Sequence, residues 1–217
     1  MKGCIFDLDG TLFDSMEIWG GIGPDSLKKR EITPPPDYAK TIFTMSLAQS
    51  ADYTIRCFGL TCTREDLMQE WDDAAALAYA GEVQLKPGAR EYLLALRERG
   101  FRLGVATTMH RRVYRPALER HELFGLFDVL CGADEVQLPK SSPEVFLLCA
   151  SLLELKPSQC IVFDDLLAAV KSAKGIGMRV VGVRDNTSLE DWEEIKNTAD
   201  RVITSFDGED VSFLDKL

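Results

Sequence analysis

"QCIVFDDLLAAVKSAKGIGMRVVGV", residues 159–183, decides how this chain folds. It opens with an apolar run that ends in two aspartates (QCIVFDD, 159–165). A segment with helical apolar spacing follows (LLAAVKSAKGIG), and a second apolar run closes it (MRVVGV, 178–183). Strand, helix and strand in that order predict a βαβ unit. A crossover helix of this length returns the chain to its starting edge, so the two strands run parallel.

The same alternation extends upstream. GAREYLLALRERG (88–100) has helical spacing and stops at Gly100, and FRLGVAT (101–107) is a short strand. RRVYRPALERHEL reads as a helix that must accommodate Pro116 near its start or at a kink. FDVLCG (127–132) is a strand, and SPEVFLLCASLLEL (142–155) is a helix with Ser141 or Ser142 as N-cap and Glu144 placed for a capping box. Downstream, a helix around 188–197 and a short strand at 201–203 complete the pattern. The expected class is α/β: a Rossmann-like parallel sheet with helices on both faces.

Residues 14–87 break the rhythm. Apart from TPPPD (33–37) they are helical in character, as in SLAQSADYTIRCFG and TREDLMQEWDDAAALAYAG, with no convincing strand. Lys86-Pro87-Gly88 then marks a boundary by its turn chemistry. The expected organisation is a core of residues 1–13 and 88–217 with a helical insert at 14–87.

The chain has 217 residues, a formal charge of −10 and no basic stripe, which argues against nucleic acid or an anionic membrane as its partner. The balance suits a small-molecule enzyme or one that holds a divalent cation. The six cysteines mostly sit inside apolar runs and read as buried, reduced thiols. No apolar stretch reaches membrane-spanning length and no signal-peptide pattern precedes the first strand, so the expected compartment is the cytoplasm. Oligomeric state is not legible.

Polar residues collect where the strands end. CIFDLDGTLFDS (4–15) carries Asp7 and Asp9 one residue apart, FRLGVAT ends in Thr107, and QCIVFDD ends in Asp164 and Asp165. Parallel strands bring their C-terminal ends to one edge, where α/β folds bind ligands. Four carboxylates on one edge need a cation, and an all-oxygen set suits Mg²⁺. Lys140 precedes a helix start, where its charge is disfavoured unless an anion sits beside it. Asp9-Gly10 is also a hairpin signal, so a tight β-hairpin competes with a ligand site for the first stretch.

DLDGT (7–11), Thr107 closing a strand, Lys140 in K-x-x-P-E-V-F and VFDD (162–165) together resemble the four ordered motifs of the haloacid dehalogenase-like hydrolases. The insert falls where the subgroup of phosphoglycolate phosphatase and β-phosphoglucomutase carries a small α-helical cap. The resemblance implies that Asp7 is a nucleophile forming an aspartyl phosphate and that Asp9 is the general acid and base. It implies Mg²⁺ held by Asp7, the Asp9 backbone carbonyl and Asp165, with Asp164 directly or through water. Thr107 and Lys140 would bind the phosphoryl oxygens, and Gly10 would permit the sharp turn after the nucleophile, so the hairpin signal is expected to survive as the geometry of a flap. The implied activity is Mg²⁺-dependent hydrolysis of a small phosphorylated metabolite, a sugar phosphate first. A phosphomutase is the alternative, but Trp19 and Leu47 stand where that subgroup has a histidine and an arginine. A non-catalytic module that binds phosphorylated ligands is the third reading. Leu166 also departs from the family, which usually has a serine there.

Overall fold

The computed structural model describes residues 2–43, 45–136 and 138–217, the side chain of Phe43 excepted. In chain order the strands are β1 (Gly3–Phe6), β2 (Phe13–Asp14), β3 (Gln84–Leu85), β4 (Arg102–Ala106), β5 (Val129–Cys131), β6 (Cys160–Asp164), β7 (Arg179–Val183) and β8 (Arg201–Ile203). The helices are α1 (Met16–Lys28), α2 (Tyr38–Phe43), α3 (Leu47–Phe58), α4 (Arg64–Gly81), α5 (Ala89–Glu98), α6 (Arg111–Arg120), α7 (Glu144–Leu152), α8 (Leu167–Gly175) and α9 (Trp192–Thr198).

Six strands form one parallel sheet in the order β5-β4-β1-β6-β7-β8. The α/β class expected from the alternation is the one observed. β1 and β6 are buried along their whole length, as central strands covered on both faces must be. On one face, Phe6 stacks on Phe163 at 4.4 Å between ring centroids, with Tyr92 and Phe206 packed beside them. Another buried cluster joins Phe146, Cys149 and Leu153 of the α7 region to Val170 and Ala173 of α8. The chain moves outward from β1 through β4 to β5, then returns on the other side of β1 to build β6, β7 and β8. The order therefore reverses at β1, where an open α/β sheet offers a crevice at its carboxyl edge.

The chain divides into two compact units, residues 1–14 with 84–217 and residues 15–83. The second unit is helical. Its α3 and α4 both start with complete capping boxes, Ser46 with Gln49 and Thr63 with Asp66. Ala51, Leu67 and Trp71 form its buried centre, and Arg30 bonds Glu70 with Nη1–Oε1 at 2.9 Å.

Local details depart from the sequence reading. β2 and β3 are two-residue strands that pair antiparallel, Phe13 with Leu85 and Asp14 with Gln84; strands that short leave no periodicity to read. The Asp9-Gly10 turn does not join two strands of a hairpin, because β2 pairs with β3 and not with β1. Pro143, not a serine, occupies the N-cap of α7, and the Ser142 hydroxyl turns to the Glu144 carboxylate. Pro116 stands mid-helix in α6. Among the described residues, no helix is long and apolar enough to cross a membrane. Cys4, Cys131, Cys149 and Cys160 are buried free thiols, whereas Cys57 is exposed.

Candidate active site

β1 ends at Phe6, and the next residue, Asp7, is held in line by its N–H donating to the Phe163 carbonyl at 3.0 Å. Beyond it the chain folds into a tight turn around one acceptor. The Leu8 carbonyl takes the N–H groups of Thr11, Leu12 and Phe13 at 3.3, 2.9 and 2.8 Å. Gly10 makes this turn possible at φ +67°; a Cβ there would lie 2.6 Å from Asp165 Oδ2. The turn carries Asp9 out of the strand and sets the Thr11 hydroxyl on Asp165 Oδ1 at 3.0 Å.

Asp7, Asp164 and Asp165 converge, each offering a carboxylate oxygen within 4.8 Å of the others. All three are buried, as is Lys140, which is only 5 % exposed. The lysine ammonium contacts Asp7 Oδ1 and donates to Asp164 Oδ2 at 2.8 Å. Asp164 Oδ1 accepts the Leu166 N–H at 3.0 Å, so both oxygens of Asp164 have partners within the protein. Asp165 differs. Its Oδ1 takes Thr11, and its Oδ2 is buried without a hydrogen-bond partner among the described residues.

The electrostatics follow from that packing. Burial pushes the Asp7 carboxyl up to about 8; Lys140 opposes the shift, and Asp164 and Asp9 add to it. Asp165 is driven well above the usual carboxylate range by burial and then by Asp164 and Asp7. Burial alone would lower Lys140, but Asp164 and Asp7 outweigh it and hold the ammonium charged. Three ionised carboxylates against one ammonium would leave uncompensated negative charge out of water, and the raised Asp7 and Asp165 carboxyls are the response to it. A hard divalent cation against the orphan Asp165 oxygen and Asp7 would relieve it, and the all-oxygen donor set suits Mg²⁺.

Thr107 follows the last residue of β4, the strand beside β1, and is 2 % exposed. Its N–H donates to the Cys131 carbonyl at 3.0 Å, and its hydroxyl accepts the Met109 N–H at 3.2 Å. The structure thus brings Asp7, Lys140, Asp164 and Asp165 into direct association, with Gly10 against Asp165. Asp9 stands in the adjoining turn, half-buried, and its carboxylate is not part of the three-aspartate cluster. Thr11, Lys86 and Asp185 escaped the sequence reading. Asp185 follows β7 as Asp164 closes β6, so the strand-end rule would have reached it. Lys86 carried only a turn signal.

Comparison with known proteins agrees with this architecture. A family model described as haloacid dehalogenase-like hydrolase matches residues 1–177. The chain is 32% identical over 199 residues to validoxylamine A 7'-phosphate phosphatase of Streptomyces hygroscopicus subsp. limoneus, covering 87% of this chain and 88% of that protein. It is 24% identical over 184 residues to a phosphorylated carbohydrates phosphatase of Thermotoga maritima, covering 84% and 85%. Among solved structures, CbbY from Rhodobacter sphaeroides in complex with phosphate superposes with a TM-score of 0.83 at 23% identity, over 99% of both chains. With a reversed strand order, a carboxylate cluster on the sheet's carboxyl edge and a family match across most of its length, this chain belongs to the haloacid dehalogenase-like hydrolases.

Proposed function

We propose that the protein is a Mg²⁺-dependent phosphatase that hydrolyses a small phosphorylated metabolite, a sugar phosphate, through an aspartyl phosphate on Asp7. The observation that carries the reading is the buried cluster itself. It holds one ammonium for a phosphoryl oxygen, one carboxylate on the end of a central strand, and one carboxylate oxygen with no partner among the described residues.

Asp7 attacks phosphorus with a carboxylate oxygen, and the P–O bond to the leaving group breaks. Asp9, in the adjoining turn, gives its proton to the departing oxygen and then takes one from a water. That water attacks the same phosphorus, the acyl–phosphate bond breaks, and Asp7 and inorganic phosphate are released. Lys140 and Thr107 hold the phosphoryl oxygens, and Gly10 keeps the turn clear of Asp165. Asp7, the Asp9 carbonyl and Asp165 would hold Mg²⁺, with Asp164, which Lys140 engages, directly or through water. When bound there, the ion would supply positive charge against the transferring group and would favour Asp7 as carboxylate at neutral pH. Residues 15–83 serve as a cap that selects the substrate. The substrates in the names of the two phosphatase relatives, a validoxylamine phosphate and phosphorylated carbohydrates, support the sugar-phosphate class.

Hydrolysis is preferred to a mutase reaction because Trp19 and Leu47 supply neither a base nor a cation. The Trp19 indole N–H is used internally, on the Tyr79 hydroxyl at 3.1 Å. A panel of phosphate esters assayed with Mg²⁺ and with chelator, on wild type and Asp7→Asn, tests the proposal. Release of phosphate that requires Mg²⁺ and Asp7 supports it. Metal-independent turnover, full activity of Asp7→Asn, or conversion of a hexose 1-phosphate to the 6-phosphate without phosphate release would overturn it.

A further inference from the structure

The loop behind the site contains a lysine that neither the cluster nor the motifs account for. Lys86 lies on the segment that re-enters the core, just past β3. Its ammonium donates to the Arg184 carbonyl at 2.9 Å and pairs with Asp185 Oδ2 at 2.9 Å. The pair is largely out of water, with side chains 12% and 6% exposed. The other Asp185 oxygen accepts both the Thr187 N–H at 2.8 Å and its hydroxyl at 2.6 Å. Burial acts to raise the Asp185 carboxyl, but Thr187 and Lys86 hold it below the usual range.

The backbone of the same residue faces the site. Lys86 N–H donates to the Leu12 carbonyl at 2.9 Å, and Leu12 belongs to the turn that carries Asp9, Gly10 and Thr11. Two residues on, Gly88 at φ +79° packs so closely on the 206–207 backbone that a Cβ would lie 2.4 Å from Asp207 N. Residues 86–88 are therefore fixed to the core at three points, and one of them is the catalytic turn. A chain of contacts runs from the end of β7 through Asp185 and Lys86 to Leu12, and from the turn through Thr11 to Asp165.

We propose that Lys86 is a positioning residue for phosphoryl transfer: by clamping the end of β7 with its side chain and the Asp9–Thr11 turn with its backbone, it fixes where the acid/base and the Thr11–Asp165 pair stand. The role rests on the phosphatase reading above. Misplacing a catalytic group by about 1 Å costs on the order of 100-fold in rate, so loss of the clamp acts on turnover and on the metal site before it acts on substrate binding.

The test compares wild type, Lys86→Met, Lys86→Arg and Asp185→Asn as full-length proteins. Four quantities are read: kcat and KM on the best ester, Mg²⁺ affinity by titration calorimetry, and amide exchange at Leu12 and Phe13. Lys86→Met is expected to lower kcat roughly 10- to 100-fold with little change in KM, weaken Mg²⁺ binding, and speed exchange at those two amides. Lys86→Arg, which keeps the cation, recovers most of each loss. Asp185→Asn keeps the Thr187 bonds and carries the same test should Lys86→Met fail to fold. Unchanged kcat, unchanged exchange at Leu12 and Phe13, or an equal loss in Lys86→Arg would overturn the proposal. If wild type hydrolyses no ester, the phosphatase reading fails separately. Exchange and Mg²⁺ affinity then still decide the clamp, and unchanged values for both sink it.

Discussion

Replacing Gly10 with alanine adds one methyl group at the tightest point of the site, and the structure supplies each contribution to its cost. Residue 10 sits at φ +67°, where an L side chain costs about 1–2 kcal/mol. The new Cβ would fall 2.6 Å from Asp165 Oδ2, 2.9 Å from its Cγ and 3.1 Å from its Oδ1. All three are closer than ordinary van der Waals contact. Asp165 cannot easily withdraw, being fully buried and bonded to Thr11. Overpacking of this kind costs about 1–3 kcal/mol. Gly100→Ala is the matched control: its φ is +79°, yet none of the described residues lies within 4 Å of the added Cβ. Both variants are melted by circular dichroism in the absence of metal. For a chain of this size about 1 kcal/mol moves Tm by roughly 2–4 °C, so Gly100→Ala should lose a few degrees and Gly10→Ala about twice as much. In an Asp165→Ala background the two substitutions should cost the same. Equal costs in the wild-type background, or an unrelieved penalty in the Asp165→Ala background, would refute the close-approach argument.

Other outcomes follow from the charge arrangement. Lys140→Met leaves Asp7 and Asp164 buried without their cation; urea unfolding at pH 7 should show a loss of about 3–5 kcal/mol, and ester hydrolysis should fall with it. Asp7→Asn should abolish hydrolysis, on the order of 10⁴-fold or more. Its metal-free Tm should match or exceed wild type, because an amide brings no buried charge to the cluster. The Asp7 carboxyl ionises near pH 8 when folded and near 4 when unfolded. The metal-free fold therefore binds the extra proton and loses stability as pH rises through that window. A divalent cation competes with the same proton. The Tm gain from added Mg²⁺ should accordingly be larger at pH 8 than at pH 6, and a gain independent of pH would contradict the assignment of Asp7 as a ligand.

The fold was legible because its signals are periodic. Alternating apolar strands and amphipathic helices announce a parallel sheet, and polar residues at the strand ends announce the edge on which a site is built. Asp7, Asp164 and Asp165 meet because β1 and β6 are neighbours, and strand-end logic anticipates their convergence without coordinates. Contacts between residues far apart in sequence were not legible. Nothing in "LPKSSPEVF" shows that Lys140 reaches both Asp7 and Asp164. Nothing in Lys86-Pro87-Gly88 shows an ion pair with Asp185. The division of labour within Asp164-Asp165 is equally silent in sequence. Two identical side chains face different neighbours, and only packing decides that the first is engaged on both oxygens while the second keeps one open. The Asp-Gly signal misled for a related reason. It reports a chain reversal correctly, but which strand the reversed chain pairs with is set at Gln84–Leu85, some seventy residues away.

That pairing has a consequence for how such a protein can diversify. β2 and β3 bring the exit and re-entry of residues 15–83 side by side, two residues wide. The chain leaves for the helical unit and returns from it through one paired stem, much as a graft is joined to rootstock. The closure entropy of a chain segment grows only slowly with its length. A stem already joined can therefore carry a shorter, longer or differently folded insert with little change in the stability of the sheet beneath it. On the phosphatase reading proposed above, chemistry stays with the strands while selectivity is free to be replaced wholesale. A chimera that exchanges residues 15–83 for another insert of the same stem geometry should keep its melting behaviour and change its substrates.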